Sequence, residues 1–403
     1  MVDLRKLILM IAITIIPMIA MADDNIKDSQ FNPVNTGVNS LMIATDARGA
    51  SMGDIGAATE PDANSQYWNP SKYAFAFNRG EVSLSYTPWM RSLVNDIFLT
   101  NLTGYYKPGR YDNQAVSISL RYFSLGNLTL NSFTGAPDMT IHPYEMSVDA
   151  GYSLKLSRKY SMAIVLRYIY SDLGFANTYA GDMSTGASAF AGDISGYFAT
   201  YPIIGRNECQ WSWGWNISNI GTKVNYNHGA DQAFLPTNLR LGTTFKYPVA
   251  DRHNLALSVD FNKLLVPIKP RESDYDTSTL EGETRFAEAL QKWEDMSSIS
   301  AIFKSFSDAP GGFKEEMREI EYAIGAEYDY NNLFYLRTGY HHQSKYKGNN
   351  NYLGFGAGFS FNNILTLDVS YMVATGRLSP LDQTLRFTLT FNIETITRLF
   401  GRQ

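Results

Sequence analysis

Apolar and polar residues alternate with a period of two along most of the chain from residue 81 to residue 394. The alternation is clearest at 211–217, 255–261 and 385–391, where large apolar side chains hold every second position. A period of two is the period of a β-strand. Fourteen segments follow it: 81–87, 96–106, 114–122, 144–155, 160–172, 189–201, 208–219, 238–247, 253–263, 318–330, 333–343, 352–361, 364–374 and 384–393. The pattern predicts an all-β fold.

The connections between these segments are sorted by length. Those after even-numbered segments are tight, as at 157–160, 248–252, 331–332 and 362–363. Those after odd-numbered segments are long, as at 123–143, 173–188, 220–237 and 264–317. Tight periplasmic turns and long extracellular loops are typical of outer-membrane barrels. We therefore predict a transmembrane antiparallel β-barrel of about 14 strands over residues 81–403, with 264–317 as its longest extracellular loop.

Composition and charge agree with a barrel. Charged residues make up 18% of the chain and aromatic residues 14%, which suits strands of which only one face meets lipid. Charges within the strands fall mainly on the polar face and carry both signs, as Arg121, Arg167, Arg240, Asp260 and Glu327 do. We expect them to pair inside the lumen. A net charge of −5 without a basic stripe argues against a nucleic-acid partner.

The N-terminus predicts export from the cytoplasm. Arg5 and Lys6 precede an apolar run at 7–20, and small residues surround a cleavage position before Asp23. This is the pattern of a signal peptide, which we assign to residues 1–22. Cys209 is the single cysteine, so no intramolecular disulfide is expected, and its parity with Trp211 predicts that it lies on the lipid-facing side.

Residues 23–80 precede the first strand and are rich in glycine, alanine, asparagine and aspartate. We predict a periplasmic or plug segment at the mouth of the barrel. Gly354, Gly356 and Gly358 share one face of the twelfth segment, where the missing side chains would let another backbone approach closely. Our hypothesis is that the plug packs on this lumen glycine track.

The long loop 264–317 contains two apolar stripes with helical spacing. The first, within 281–293, includes Phe286, Leu290 and Trp293, and the second, within 297–306, includes Ile299, Phe303 and Phe306. Apolar residues three and four apart share one face of a helix. The loop either folds down as a lid on its own barrel or presents part of this face to a partner.

One motif in the predicted plug resembles a known family. The run Asp-Ala-Arg-Gly-Ala-Ser-Met-Gly at 46–53, followed by Asn-Pro at 69–70, is similar to the N-terminal signature of the PorV/PorQ family of outer-membrane barrels, which are themselves similar to FadL-type fatty-acid transporters. The residues that carry the resemblance are Asp46, Arg48, Met52, Gly53, Asn69 and Pro70. The resemblance implies a FadL-like barrel in the outer membrane of a Gram-negative bacterium.

The same resemblance implies a function and its partners. The expected role is a non-enzymatic component of the type IX secretion system, surrounded by outer-membrane lipid. Such a component binds cargo proteins through their C-terminal signal domain beside the translocon barrel, and passes them to the cell-surface attachment complex.

Two alternatives stay open. A FadL-like channel for hydrophobic compounds requires an apolar lumen, whereas the predicted lumen is charged. An outer-membrane lipid or lipopolysaccharide deacylase requires a serine beside an activating histidine. The only crowded site is at His341 and His342, which point to opposite faces of a strand, and no hydrolase elbow is present. We therefore expect no catalytic residue, no metal site and no cofactor.

Overall fold

A computed structural model describes residues 31–89, 96–109, 112–130, 139–173, 176–177, 182–183, 186–226, 231–375 and 383–400. The predicted signal peptide, residues 1–22, lies outside these residues. The fourteen predicted segments form the wall of the barrel. The strands are β1 Gly80–Pro88, β2 Ile97–Tyr106, β3 Gln114–Leu125, β4 Tyr144–Lys155, β5 Tyr160–Asp172, β6 Ala187–Thr200, β7 Gln210–Gly221, β8 Asn238–Ala250, β9 His253–Leu264, β10 Glu321–Tyr330, β11 Phe334–His342, β12 Tyr352–Phe361, β13 Leu365–Ala374 and β14 Leu385–Asn392.

The strands close into an antiparallel barrel in which each strand pairs with its neighbours in the sequence. Closure is made by β1, whose Leu84 lies opposite Leu102 of β2 and opposite Leu389 of β14. The predictions of fold class and strand number are confirmed. The closed sheet has no free edge strand, as a membrane-spanning sheet requires.

Two predicted strand boundaries were wrong for identifiable reasons. The tenth strand begins at Glu321 rather than at residue 318, because Phe313–Arg318 form a short helix. The seventh begins at Gln210, because Asn207–Glu208 pair with Ile203–Ile204 in a separate hairpin. Cys209 therefore lies outside the strand, where it is buried with its Sγ 3.8 Å from the Asn207 carbonyl oxygen. The lipid-facing position predicted for it is wrong.

Side chains along each strand alternate between lipid and lumen. In β3, Ile118 is 61% exposed on the outer face, while Arg121 is only 5% exposed on the inner face. Strand β7 contains a bulge at Asn219, whose φ of 60° is left-handed. Its backbone N–H donates to Asp193 of β6 at 2.8 Å, so the bulge turns a polar group toward the lumen.

Residues 31–79, here called the inner segment, run through the barrel from one end to the other. At the extracellular end, the backbone N–H of Asn32 donates to the Tyr346 carbonyl at 2.9 Å. At the periplasmic end, Lys107 Nζ donates to the Ala76 carbonyl at 2.8 Å. The segment contains helices α1 (Ala47–Ser51) and α2 (Ser65–Trp68) and 3₁₀ turns at Asn39–Met42 and Pro70–Phe75.

The long loop after β9 contains three helices, α3 (Leu280–Glu294), α4 (Ser298–Lys304) and α5 (Phe313–Arg318). A last helix, α6 (Ile393–Phe400), follows β14. No helix in the described part of the chain is both long enough and apolar enough to cross a membrane.

Candidate functional site

Asp46 joins the two helices of the inner segment. It is the N-cap of α1, where its carboxylate accepts the Gly49 N–H at 2.8 Å, and its other oxygen accepts the indole N–H of Trp68 at 2.6 Å. A capping carboxylate satisfies a backbone donor that the helix itself leaves free. A β-carbon added at Gly49 would lie 2.3 Å from the Trp68 ring, and one added at Gly56 would lie 2.2 Å from it. The motif therefore forms a tight pocket for one indole ring.

Arg48 ties the inner segment to the barrel wall. Its guanidinium donates to both carboxylate oxygens of Glu327 at 2.9 Å and to Asp62 at 2.8 Å. Glu327 also accepts from Arg337 at 2.6 Å, and Arg337 donates to Asp368 at 2.5 Å. Removing one member of such a buried network leaves a charge without its partner, which is strongly destabilising.

Met52 and Gly53 lie against the backbone of β10 and β11. A β-carbon at Gly339 would be 2.0 Å from the carbonyl oxygen of Met52, and one at Gly325 would be 2.7 Å from the same atom. Gly53 has a φ of +83°, and a β-carbon there would meet the Tyr340 backbone at 2.8 Å. These positions require glycine because two backbones touch without a side chain between them.

The three glycines of the lumen glycine track contact two different parts of the fold. A β-carbon at Gly354 would lie 2.6 Å from the carbonyl oxygens of Ala50 and Ser51, and one at Gly356 would lie 2.4 Å from the Ser51 side chain. Gly358 faces Asp368 and Arg337 instead. Two of the three glycines thus contact α1, while the third makes room for an ion pair.

Sequence reasoning missed Gly325 and Gly339, and it missed two further glycines of this kind. Gly214 of β7 and Gly242 of β8 both face Ala57 of the inner segment, with the closest approach at 1.9 Å from a β-carbon on Gly214 to the Ala57 carbonyl oxygen. Gly214 lies between Trp213 and Trp215, and Gly242 follows Leu241, so both resembled ordinary small lumen residues. Like Gly325 and Gly339, both hold lumen-facing positions of their strands, and this was the signal available in the sequence.

Asn69 and Pro70 hold the lower part of the inner segment. The Asn69 amide donates to the carbonyls of Ala57 at 2.8 Å and Gly196 at 3.0 Å, and its oxygen accepts the Ser71 N–H. Pro70 begins the 3₁₀ turn, where its missing N–H costs nothing. All six motif residues lie in the inner segment. Arg48, Met52, Gly53 and Asn69 contact the wall, whereas Asp46 bonds within the segment.

Trp293 anchors the helical loop. It is buried against Phe234, with ring centroids 5.1 Å apart, and its indole N–H donates to the Pro267 carbonyl at 3.0 Å. Val34 of the inner segment packs against the same cluster. Phe286 packs against Tyr275 with centroids 5.6 Å apart, and it is partly buried, as is Leu290. The first predicted stripe thus stabilises the loop.

The second stripe is largely open to solvent. Ile299, Phe303 and Phe306 are exposed by 66%, 73% and 51%. Leu280 and Phe313, on the neighbouring helices, are exposed by about as much or more. An apolar surface of this kind on a soluble loop commonly marks an interaction site.

Charged residues hold the base of the loop to the barrel rim. Glu319 accepts from Lys263 at 2.5 Å and from Lys347 at 3.0 Å, and Glu316 accepts from Lys263 at 3.2 Å. Burial raises the pKa of nearby Asp308 to about 6, and the charges of Glu319 and Glu316 add to the effect. The loop is therefore fixed at its base while its second stripe stays accessible.

Comparison with known families adds an independent observation. A profile of a family described as type IX secretion system protein PorV matches residues 26–271, which is more than half of the 403 residues. The chain belongs to the PorV family. Membership, together with the closed barrel, places it in the outer membrane of a Gram-negative bacterium.

Solved structures similar to this PorV-family chain include two toluene transporters and a FadL homologue. The toluene transporter TodX of Pseudomonas putida is 12% identical over 86% of this chain and 96% of its own, with a TM-score of 0.47. The toluene transporter TbuX of Ralstonia pickettii is 14% identical over 86% and 96%, with a TM-score of 0.45. A FadL homologue of Pseudomonas aeruginosa is 11% identical over 90% and 99%, with a TM-score of 0.43. Curated protein sequences gave no match.

The PorV-family match covers the inner segment and β1–β9 but ends before α3. All six motif residues lie within it, whereas the glycine track and both apolar stripes lie beyond it.

The two histidines, His341 and His342, also lie beyond the family match. His341 Nδ1 is 3.2 Å from the Gly53 carbonyl oxygen, and its Nε2 is 3.7 Å from a Glu321 oxygen, while His342 packs on Tyr322 on the opposite face.

Proposed function

We propose that this PorV-family barrel binds secreted cargo at the cell surface within the type IX secretion system. It would receive proteins carrying a C-terminal signal domain beside the translocon barrel and pass them to the attachment complex. Family membership supports the secretion system, and the exposed second stripe on an anchored loop is the observation that carries the binding role.

The inner segment supports a role in which cargo is held outside the lumen. It contacts the wall through the Arg48 ion pairs with Glu327 and Asp62 and through backbone contacts at Gly339 and Gly354. A polypeptide could not pass without displacing these buried contacts. We therefore treat the inner segment as a plug and the loop as the binding surface.

The geometry of α4 suits a partner with an apolar groove or strand. Ile299 and Phe303 lie one turn apart on α4, the spacing with which an amphipathic helix presents anchors to a groove, and Phe306 follows in the turn after the helix ends. Since Trp293 and the charged base hold the loop in place, little conformational entropy is lost when a partner binds. We expect a preformed apolar face on a carrier that binds many cargo proteins through one shared domain.

The two alternatives gain less from the structure. A channel for hydrophobic compounds needs an apolar path, whereas the lumen contains the buried charges Arg48, Glu327, Arg337 and Asp368. A deacylase needs histidine beside a nucleophile. His341 instead faces the Gly53 carbonyl and Glu321, and neither supplies the serine hydroxyl that such an enzyme activates. We propose a non-enzymatic role.

The experiment is a mild-detergent pull-down of the tagged protein from its native outer membrane. Phe303→Asp places a charge at the centre of the exposed stripe, and Ser307→Asp is the matched control on the exposed end of the same segment. Burying one phenylalanine stabilises a contact by about 1.5–3 kcal/mol. We expect recovery of cargo with the Phe303 variant to fall about tenfold or more, with the control unchanged.

A deletion of residues 281–308 tests the whole loop. With barrel insertion checked by the heat-dependent shift in gel mobility, the deletion should abolish co-purification of cargo or translocon. Unchanged recovery with both the deletion and Phe303→Asp would remove the loop from the proposed function. A barrel that purifies with hydrophobic compounds and no protein partner would favour the channel.

A further inference from the structure

A polar cavity of about 180 Å³ lies in the extracellular half of the lumen, between the inner segment and the wall. Tyr67 and Gln66 line it from the inner segment, and Arg121 and Asn262 line it from the strands. Asn238, at the extracellular start of β8, belongs to its upper lining. Asn350, in the loop between β11 and β12, also lines it, so the cavity extends toward the extracellular end of the barrel.

Several amide groups in this cavity have no hydrogen-bond partner among the described residues. Both amide atoms of Gln66 and the side-chain oxygens of Asn64 and Asn262 are in this state. Gln66 is 2% exposed, Asn64 4% and Asn262 5%. Buried polar groups are normally paired, because leaving them unpaired is costly. These three residues line the cavity and keep buried acceptor atoms, and in Gln66 a donor as well, without a partner.

Arg121 adds a buried positive charge to the same cavity. Three carboxylates also line it, and each has a basic residue within 4.0 Å: Asp149 has Arg167 at 2.7 Å, Asp54 has Arg386 at 3.7 Å and Glu321 has His341 at 3.7 Å. Its Nη1 donates to the Ser40 carbonyl at 2.5 Å, and Tyr67 lies beside the guanidinium with 4.9 Å between Cζ and the ring centroid. In the described part of the chain no carboxylate lies within 4.0 Å of it. Arg167, in contrast, has Asp149 at 2.7 Å and Asp193 at 2.9 Å. Arg121 is thus held in position without an ion-pair partner.

We propose that the cavity binds a carboxylate flanked by N–H donors, the chemistry of a free amino acid or of the carboxyl end of a peptide. The carboxylate would face Arg121, for which charge-assisted hydrogen bonds are strong. The neighbouring N–H groups would face the free oxygens of Gln66, Asn64 and Asn262. A fatty acid shares the carboxylate but brings no N–H donors and an apolar tail that the polar lining does not suit. The site is independent of the loop contact proposed above.

The test is calorimetric titration of the purified full chain in detergent micelles with three probes. The first probe, N-acetyl-triglycine, carries the carboxylate and amide N–H groups. The second is the same peptide with a C-terminal amide in place of the carboxylate, so that it lacks the charge. The third, glycine, represents a free amino acid. We expect saturable binding of the acid at millimolar concentration or below, and binding of the amide weaker by about tenfold to a hundredfold. Binding of glycine as well would identify free amino acids as the source, and binding of the peptide acid alone would identify chain ends.

Arg121→Gln should remove the difference between acid and amide while leaving a polar side chain in place. Arg285→Gln is the matched control, since Arg285 lies on the exposed face of α3, where it pairs with Glu281. Should the Arg121 variant fail to fold, the comparison of acid with amide on the unaltered protein still decides. Equal binding of acid and amide, or no saturable binding of acid or glycine because the cavity holds only water, overturns the proposal.

Discussion

We predict that a single methyl group at Gly339 displaces the inner segment and makes the barrel conduct ions. The added β-carbon would lie 2.0 Å from the carbonyl oxygen of Met52 and 2.1 Å from its carbonyl carbon, whereas ordinary van der Waals contact begins at 3.4 Å. The difference of about 1.4 Å has to be met by movement, because both partners are backbone and neither can rotate away. Overpacking of this kind costs about 1–3 kcal/mol.

The assay is single-channel conductance of the purified barrel in a planar lipid bilayer. Gly339→Ala should show open events that the unaltered protein lacks, and Gly356→Trp, which inserts an indole against Ser51, should show larger ones. Ala357→Val is the control, since residue 357 lies on the lipid-facing side of the same strand as Gly356. Conductance unchanged in both glycine variants, with the barrel shown to be folded, would refute the view that the inner segment closes the lumen by backbone contact.

Two other predictions concern charge. Arg48→Met should destabilise the inner segment by about 3 kcal/mol. This is the low end for a broken buried ion pair, because Glu327 keeps its bond to Arg337. Heat-dependent gel mobility and proteolysis of residues 31–79 measure the loss of stability, and unaltered resistance to protease would contradict the prediction. The pKa of Asp308 is raised in the folded loop to about 6 from an ordinary 3.8. The folded loop therefore holds this proton more tightly than the unfolded chain does, and it should lose stability as pH rises from about 4 to about 6. Hydrogen exchange of residues 264–317 should show this loss, and Asp308→Asn should reduce the loss.

The wall of the barrel could be predicted from the sequence because each strand repeats one simple rule. Residues such as Leu255, Leu257 and Val259 face lipid at every second position, and a one-residue slip would place Asp260 in the membrane. The bulge at Asn219 could not be predicted, because its left-handed backbone is stabilised by Asp193 on a neighbouring strand. Local pattern therefore determines the strands, while their irregularities depend on contacts made across the fold.

The inner segment shows the opposite case. Its composition predicted a plug, but it has no period, so neither its path nor the pairing of Arg48 with Glu327 was visible. Trp68 was missed although it fills the pocket between Gly49 and Gly56. In the loop, the helical stripes were recognised, but Trp293 and Phe303 looked equivalent. The contacts with Phe234 and with the Pro267 carbonyl separate the buried anchor from the exposed side chain.

The path of the inner segment makes the number of times that the chain crosses the membrane odd. An even number of strands alone would return the polypeptide to the side of the membrane from which it started. Here one additional, non-strand passage precedes the fourteen wall strands, so Asn32 and the helix Ile393–Phe400 occupy opposite faces of the outer membrane. That fifteenth passage is polar and irregular, and it is tolerated at membrane depth because protein rather than lipid surrounds it.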